Sequence, residues 1–381
     1  LEIIPAERIE ADCTVVCDTE AAAVPSTIYS MLLALALALG FSISNPGEVL
    51  AALPPGNAVT DPAAILRDSL PVQQPDLREL QHRLEGTSND LRARRWSSIQ
   101  QACERSSKLL NQRQGRIIGD LPSQQQETAK QEIENLQQNL INLCSSSESQ
   151  NRDEFLEQRR EVLAAVGRLE ELAIESFPYE IPEEFKNLPR LLGRASVEIR
   201  TNKGNLTAVV DGYNAPLTAG AFVDLVQRGF YNNLPFNRAE DFYVLQTGDP
   251  VGAATGYIPD GSKGERQVPL EIMVPGEKQP QYNKTFEDLG LFKTTPVLPF
   301  ATLGTLGWAH SDEALGDGSS QFFFFLYEAE LTPAGLNLVD GRYAVFGYVV
   351  DGFDVLENLG VDDKIETITL LSGAENLQAH G

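Results

Sequence analysis

The apolar positions of this chain change period twice along its length. From Met31 to Ile43 they form a nearly unbroken run, MLLALALALGFSI. A membrane span needs about 20 apolar residues, so this run is short for one. It fits the apolar core of an export signal, with Val49-Leu50-Ala51 supplying small or apolar residues for cleavage after Ala51. Residues 1–51 are therefore expected to be a leader. The segment ahead of the run departs from the usual pattern, because Arg8 is its only base. The alternative, a buried helix, needs protein on every side.

Residues 52–75 are proline-rich and predict a linker with at most one short helical turn. From Asp76 the period becomes helical. Leu77, Leu80, Leu84 and Leu91 fall on one stripe, continued by Trp96, Ile99, Cys103 and Leu110. Asp76 is the expected N-cap. A break at Gly119-Asp120-Leu121-Pro122 precedes a second helix, from about Ser123 to Leu143, carrying Ile133, Leu136, Leu140 and Leu143. A third runs from about Arg152 to Glu175 with Phe155, Val162, Val166, Leu169 and Leu172. Short connections predict an antiparallel helical bundle over residues 76–176. No seam runs for several clean heptads, so an intramolecular bundle is expected rather than a coiled-coil zipper. Residues 177–193, with Pro178, Pro182 and Pro189, read as an extended strap.

Past residue 194 the period is two. Val197, Ile199, Leu206, Ala208 and Val210 alternate around a turn at Asn202-Lys203-Gly204, which predicts a hairpin. Ala215 to Gln227 reads as a helix. Two stretches then stand out. Pro235 to Asp249 is PFNRAEDFYVLQTGD, holding the single arginine Arg238 among Phe236, Phe242 and Tyr243. From Ala309 the chain reads AHSDEALGDGSSQFFFFL. Alternate residues of a strand face opposite ways. Of Phe322 to Phe325, one pair can fill a barrel core while the other lines an outer pocket. Between Gly252 and Leu303 lies a long segment without periodicity, and such segments are usually functional or mobile.

Length and charge narrow the picture. A chain of 381 residues suggests two or three domains. The formal net charge of −24 disfavours nucleic acid, whose phosphates need clustered Lys and Arg. Residues 194–381 carry 12 Lys and Arg against 25 Asp and Glu, so an acidic field surrounds any site there and favours basic or neutral ligands. Of four cysteines, Cys13 and Cys17 precede the cleavage site, and a C-x3-C pair alone is a poor zinc site. Cys103 and Cys144 could pair in an oxidising compartment. Plain helical burial is the favoured reading, since free cysteine packs as a small hydrophobe. No cofactor or metal site is expected.

The two stretches resemble the cyclophilins, the peptidyl-prolyl isomerase family. There the first motif reads F-H-R, five residues, then F-M-x-Q-G-G-D, and the second reads M-A-N or M-A-x, a loop, then G-S-Q-F-F. Phe236, Arg238, Gln246, Gly248, Asp249, Ala309, Ser320, Gln321, Phe322 and Phe323 match. Val339 to Val349, VDGRYAVFGYV, is similar to the family's L-D-G-K-H-V-V-F-G-x-V. The resemblance implies a closed antiparallel β-barrel with capping helices over residues 194–381, giving a multidomain α plus β chain. Leader, helices, strap and long insertion together look like the large multidomain cyclophilins of the thylakoid lumen. That likeness implies export to the thylakoid lumen or periplasm and no membrane span in the mature chain. The implied partners are proline-containing segments, photosystem II subunits or a membrane phosphatase.

The chemistry follows from amide resonance, which sets a barrier of about 18–20 kcal/mol to rotation about X-Pro. A donor aimed at the prolyl nitrogen favours its pyramidal, unconjugated form. Arginine can do this without proton transfer, because it stays charged. Arg238 is the catalytic candidate. The resemblance gives Gln246 the task of orienting the substrate carbonyl or Arg238 itself. Phe236, Val244 and Phe323 would wall the proline pocket, with Ala309 and Gln321 beside it.

Several pocket positions depart from the family. Its phenylalanine and methionine become Tyr243 and Val244, its loop asparagine becomes His310, its tryptophan aligns near Leu338, and its histidine becomes Tyr343. The plain alternative for Arg238 is a structural pair with Glu240 or Asp241. Two functions stay open. One is an isomerase of weak or altered activity assisting assembly or maintenance of photosystem II. The other is a catalytically inactive cyclophilin-fold binding module or chaperone.

Overall fold

The computed structural model describes residues 59–327 and 339–379. The expected leader with Cys13 and Cys17, and the candidate Leu338, lie outside the described residues.

The presumed linker holds a helix, α1 (Pro62–Asp68), of seven residues rather than one turn. Asp61 caps it by accepting from the Ala63 N–H, and Pro62 sits in its first turn, where a missing N–H costs nothing. Five helices follow: α2 (Pro75–Glu85), α3 (Thr87–Arg92), α4 (Trp96–Gly119), α5 (Gln126–Glu148) and α6 (Arg152–Leu172). The first expected helix is thus three, because Arg94 turns into the left-handed region at φ 54° and ends α3. The cap of α2 is Gln74, whose carbonyl accepts from the Asp76 and Leu77 N–H groups at 2.8 and 3.3 Å. Pro75 moves the start upstream, which puts Asp76 inside the first turn, paired with Arg113 and Arg116 of α4.

The expected apolar stripes meet in one core: Leu77, Leu80, Leu84, Ile99 and Leu110 against Ile133, Leu136, Leu140, Phe155, Val162 and Leu169. Cys103 and Cys144 do not simply pack there. They form a disulfide joining α4 to α5 across a Cα separation of 5.6 Å. The expected stripe carries Cys103 but stops at Leu143; the second long helix runs on to Glu148, which includes Cys144, and spacing alone does not show that the two sulfurs meet.

The second half is built on an antiparallel sheet of eight strands in the order β11-β2-β3-β10-β8-β9-β5-β4. These are β2 (Arg194–Thr201), β3 (Gly204–Asp211), β4 (Phe236–Glu240), β5 (Val244–Thr247), β8 (Thr305–Trp308), β9 (Phe322–Phe325), β10 (Val345–Asp351) and β11 (Ile365–Ser372). The helix α7 (Pro216–Gln227) packs on its inner face, with Phe222 ringed by Phe322, Phe346 and Tyr231 at 5.2–5.4 Å. The strap ends in β1 (Arg190–Leu191), paired with β12 (Leu377–Gln378). It crosses α7 where Gly220 leaves no room for a side chain: a Cβ there would lie 2.4 Å from Arg190 Cα.

The expected closed barrel is not formed; the sheet is a half-barrel. Its edges β4 and β11 meet at a single bridge, Pro235 to Lys364. Pro235 sits at a non-hydrogen-bonded position of this pair, where its missing N–H costs no ladder bond. The links, Phe236 N–H to the Asp363 carbonyl, Ile365 N–H to the Leu234 carbonyl and Asn233 N–H to the Glu366 carbonyl, gather at and before the start of β4. Beyond them residues 237–240 are exposed along a free edge.

The four phenylalanines divide as alternation predicts. Phe322 and Phe324 join the inner core, and Phe323 and Phe325 face outward. The outer face is covered as well. Ile65 and Leu66 of α1 cluster there with Val244, Leu298, Phe300, Phe323, Phe325 and Tyr348. The helix is held by Arg194 of β2, which bonds the Leu66 carbonyl, Asp211 and Glu171 of α6.

Candidate active site

One register row crosses the sheet. Arg238 on β4 stands opposite Gln246 on β5, Gln246 opposite Phe323 on β9, and Phe323 opposite Gly307 on β8. Neighbouring strands lie about 5 Å apart, so Arg238 and Phe323 are separated at Cα by roughly 10 Å. A prolyl ring against Phe323 would bring its nitrogen within reach of an extended guanidinium. Gly307 matters to this geometry. The Phe323 ring lies over its backbone, and a Cβ there would come within 2.3 Å of the ring.

The polar half of the row is occupied by internal bonds. Arg238 is half-exposed and turned along its own strand to Glu240, at 2.6 Å. This is the structural pairing weighed for it, with Glu240 and not Asp241 as partner. The Gln246 side chain bonds elsewhere. Its amide donates to Gln321 Oε1 at 2.7 Å, and Gln321 donates to the Thr255 carbonyl at 2.8 Å. The insertion is thereby fastened to the site through Thr255.

Around Phe323 the structure gathers the other candidates. Tyr343 meets Phe323 edge-on at 5.5 Å, and His310 stacks on Tyr343 at 4.7 Å. Both ring nitrogens of His310 lie against backbone carbonyls, of Ser311 at 2.8 Å and Arg342 at 3.0 Å. Its role there is to hold the Tyr343 side. The Tyr343 hydroxyl is pushed up, chiefly by burial and then by Tyr243 and Asp312, while Arg238 and Arg342 pull it down. Tyr243 meets Phe325 edge-on at 6.1 Å and remains 37% exposed. Ala309 packs beside the outer cluster. Phe236 is the exception. Its ring points inward against Phe324 at 6.4 Å, so it belongs to the core and not to the pocket wall.

Residues outside the two motifs complete the picture. Phe300, from the insertion, stacks on Phe323 at 5.7 Å with the rings 5° from parallel, and meets Phe325 at 5.4 Å. The Phe300 N–H donates to Asp340 Oδ1 at 2.7 Å, and the Tyr348 hydroxyl donates to the Pro299 carbonyl at 2.9 Å. Phe323 and Val244 are each left 4% exposed. The face that a substrate proline would press on is filled by the chain itself. The prolines and apolar residues of Pro296-Val297-Leu298-Pro299-Phe300 were the available sequence signal. The segment has no period, so pattern reading passed over them.

Glu271, at the start of the short hairpin β6 (Glu271–Ile272) and β7 (Gln281–Tyr282), anchors the insertion to the N-terminus of α7. It accepts from the Thr218 N–H at 2.6 Å, and burial pushes its carboxyl up to about 8. Asp340 is pushed up to about 6, again by burial, against the pull of the Phe300 N–H.

Among the described residues, one group offers metal-ligand atoms within 4.8 Å of one another: Asp68, His82 and Glu85, in the helical part. Arg67 and Gln81 already donate to these carboxylates, so their charge is met from within. Among the described residues, no helix is long and apolar enough to cross a membrane.

Comparison with known proteins gives two family matches. Residues 196–370 match the cyclophilin type peptidyl-prolyl cis-trans isomerase/CLD family, and residues 61–174 match the PsbQ-like domain of CYP38-like peptidyl-prolyl cis-trans isomerases. A putative thylakoid lumen peptidyl-prolyl cis-trans isomerase of Synechocystis sp. is 47% identical over 333 residues, covering 87% of this chain and 88% of its own. The chloroplastic peptidyl-prolyl cis-trans isomerase CYP38 of Arabidopsis thaliana is 40% identical, covering 92% of this chain and 86% of its own.

Proposed function

The chain belongs to the cyclophilin-type peptidyl-prolyl cis-trans isomerases, and on that premise we propose that it is a prolyl isomerase and folding factor of low activity. Like the Synechocystis relative, it is a protein of the thylakoid lumen. The observation that carries the reading is the row Arg238–Gln246–Phe323 on three adjacent strands. In this reading Arg238 leaves Glu240 and points its guanidinium at the prolyl nitrogen, stabilising the twisted amide without a nucleophile or a proton transfer. Gln246 and Gln321 fix the substrate carbonyl, and Phe323 with Val244 receives the ring.

Low activity follows from two features. Phe300 occupies the face of Phe323, and Arg238 spends its charge on Glu240. A substrate must displace both, and the apparent affinity falls by the fraction of time the site is open. The same filling favours a second reading, a binding module or chaperone that holds a partner without turning it over.

We assign the partner class as proline-containing lumenal segments of photosystem II subunits, which the protein would hold during assembly or maintenance. The PsbQ-like match over the helices supports this assignment. Titration of the full chain with synthetic lumenal proline segments of those subunits tests it. Saturable binding, weakened for proline-to-alanine versions of the same peptides, is expected. Binding that ignores the proline would overturn the assignment.

A further inference from the structure

The turn joining β4 to β5 carries a side chain that its backbone does not favour. Tyr243 N–H donates to the Glu240 carbonyl at 3.0 Å, closing a four-residue turn, Glu240-Asp241-Phe242-Tyr243. Its third position, Phe242, has φ 59°. Turns of this kind ordinarily place glycine or asparagine there, because a Cβ is strained in the left-handed region. A phenylalanine is a poor choice on conformational grounds. It is a poor choice for solubility too, since the residue is 62% exposed.

Its supports, by contrast, are fixed. The Tyr243 N–H bond to the Glu240 carbonyl closes the turn, and Tyr243 rests on Phe325. The Phe242 ring is therefore exposed to solvent from a closed turn of the hairpin that carries Arg238 and Gln246. It lies four residues along the hairpin from the catalytic candidate. With Phe323 covered by Phe300, Phe242 and Tyr243 are the most exposed aromatic side chains of this hairpin. Outliers that cost stability and serve no packing purpose concentrate at functional sites.

We propose that Phe242 is a specificity-determining contact of this site: it receives an apolar side chain one to three residues from the substrate proline. The proposal rests on the prolyl-isomerase reading and names the substrate class for it, proline segments flanked by a bulky apolar residue. The acidic surroundings, with Glu240 and Asp241 in the same turn, exclude flanks that carry acidic groups.

The test uses the full chain and two fluorescent peptides identical except for a phenylalanine or a serine beside the proline. Affinities are read by anisotropy for the wild type, Phe242→Asn and Phe242→Trp. Asparagine tolerates the left-handed backbone and removes the ring; tryptophan keeps a ring. The wild type should prefer the phenylalanine peptide on the order of tenfold, the size of a modest hydrophobic contact. That preference should vanish in Phe242→Asn and persist in Phe242→Trp, and Phe242→Asn should melt no lower than wild type. A preference that survives in Phe242→Asn overturns the proposal, as does a lower melting temperature, which would make Phe242 structural. Equal binding of both peptides by the wild type sinks this inference alone. Failure to bind either sinks the isomerase reading with it.

Discussion

Replacing Phe300 by alanine should turn a nearly closed site into an open one. The side chain is 1% exposed and stacks on Phe323, with Phe325 at its edge. Truncating such a residue costs about 3–5 kcal/mol, and all of that loss falls on the covered state. The uncovered state, in which Phe300 has already left, loses nothing. Each 1.4 kcal/mol shifts an equilibrium tenfold, so the open fraction should rise by about a hundredfold to a few thousandfold, until it saturates. Catalysed exchange of a proline tetrapeptide, followed by NMR on the full chain, reads this directly. We expect kcat/KM to increase at least tenfold in Phe300→Ala. The gain should be lost in the Phe300→Ala, Arg238→Ala double variant. Phe292→Ala, in the same segment but 68% exposed, should change nothing. A folded Phe300→Ala protein with unchanged or lower activity would refute the argument that Phe300 covers the site.

Three further outcomes follow from the same structure. Burial raises the carboxyls of Glu170, Glu271 and Asp340 to about 7, 8 and 6, so each holds its proton more tightly folded than unfolded. Their contribution is greatest below pH 4 and is lost as pH rises toward 8. Asp76, lowered chiefly by its bond to Arg116, works the other way and fails as pH falls below its ordinary value. The melting temperature should therefore peak in mild acid and decline toward pH 8; a rise between pH 6 and pH 8 would contradict this. Reducing the Cys103–Cys144 bond, which spans 41 residues, should destabilise the helices by about 4 kcal/mol on loop entropy, seen as a lower denaturant midpoint in dithiothreitol. A fragment starting near Leu191 should keep the sheet's inner core but expose the face that Ile65 and Leu66 cover. It should fold and bind a hydrophobic dye that the full chain does not; an unfolded fragment would show that the helices are needed for the sheet itself.

Legibility in the sequence tracked periodicity. The stripe from Leu77 to Leu172 located the helical core, and the alternation of Phe322 to Phe325 assigned inner and outer faces correctly. The failures lie where no period exists or where several forces compete. Pro75 and Gln74 outdid Asp76 as the start of α2, because a proline at the first helical position fixes the entry. Seven residues of α1 are too few to show a stripe, and the prolines around them read as a linker. Phe236 matched a motif yet turned inward, which motif spacing does not encode. Barrel closure is what the likeness implies, while the pairing of β4 with β11 stops after the bridge at Pro235 and leaves residues 237–240 exposed. The insertion hid the most consequential residue: Phe300 reaches the pocket through a path of turns, and only coordinates reveal its stacking on Phe323.

The central claim is that Arg238 works, weakly, in a pocket the chain keeps largely to itself. It is tested most directly by measuring catalysed cis–trans exchange of one proline peptide under identical conditions. The full wild-type chain, its Arg238→Ala variant and a single-domain cyclophilin are compared. The wild type should show a slow but measurable rate, far below the single-domain enzyme, and Arg238→Ala none above background. A wild-type rate equal to that of the single-domain enzyme, or one that Arg238→Ala leaves intact, would contradict it.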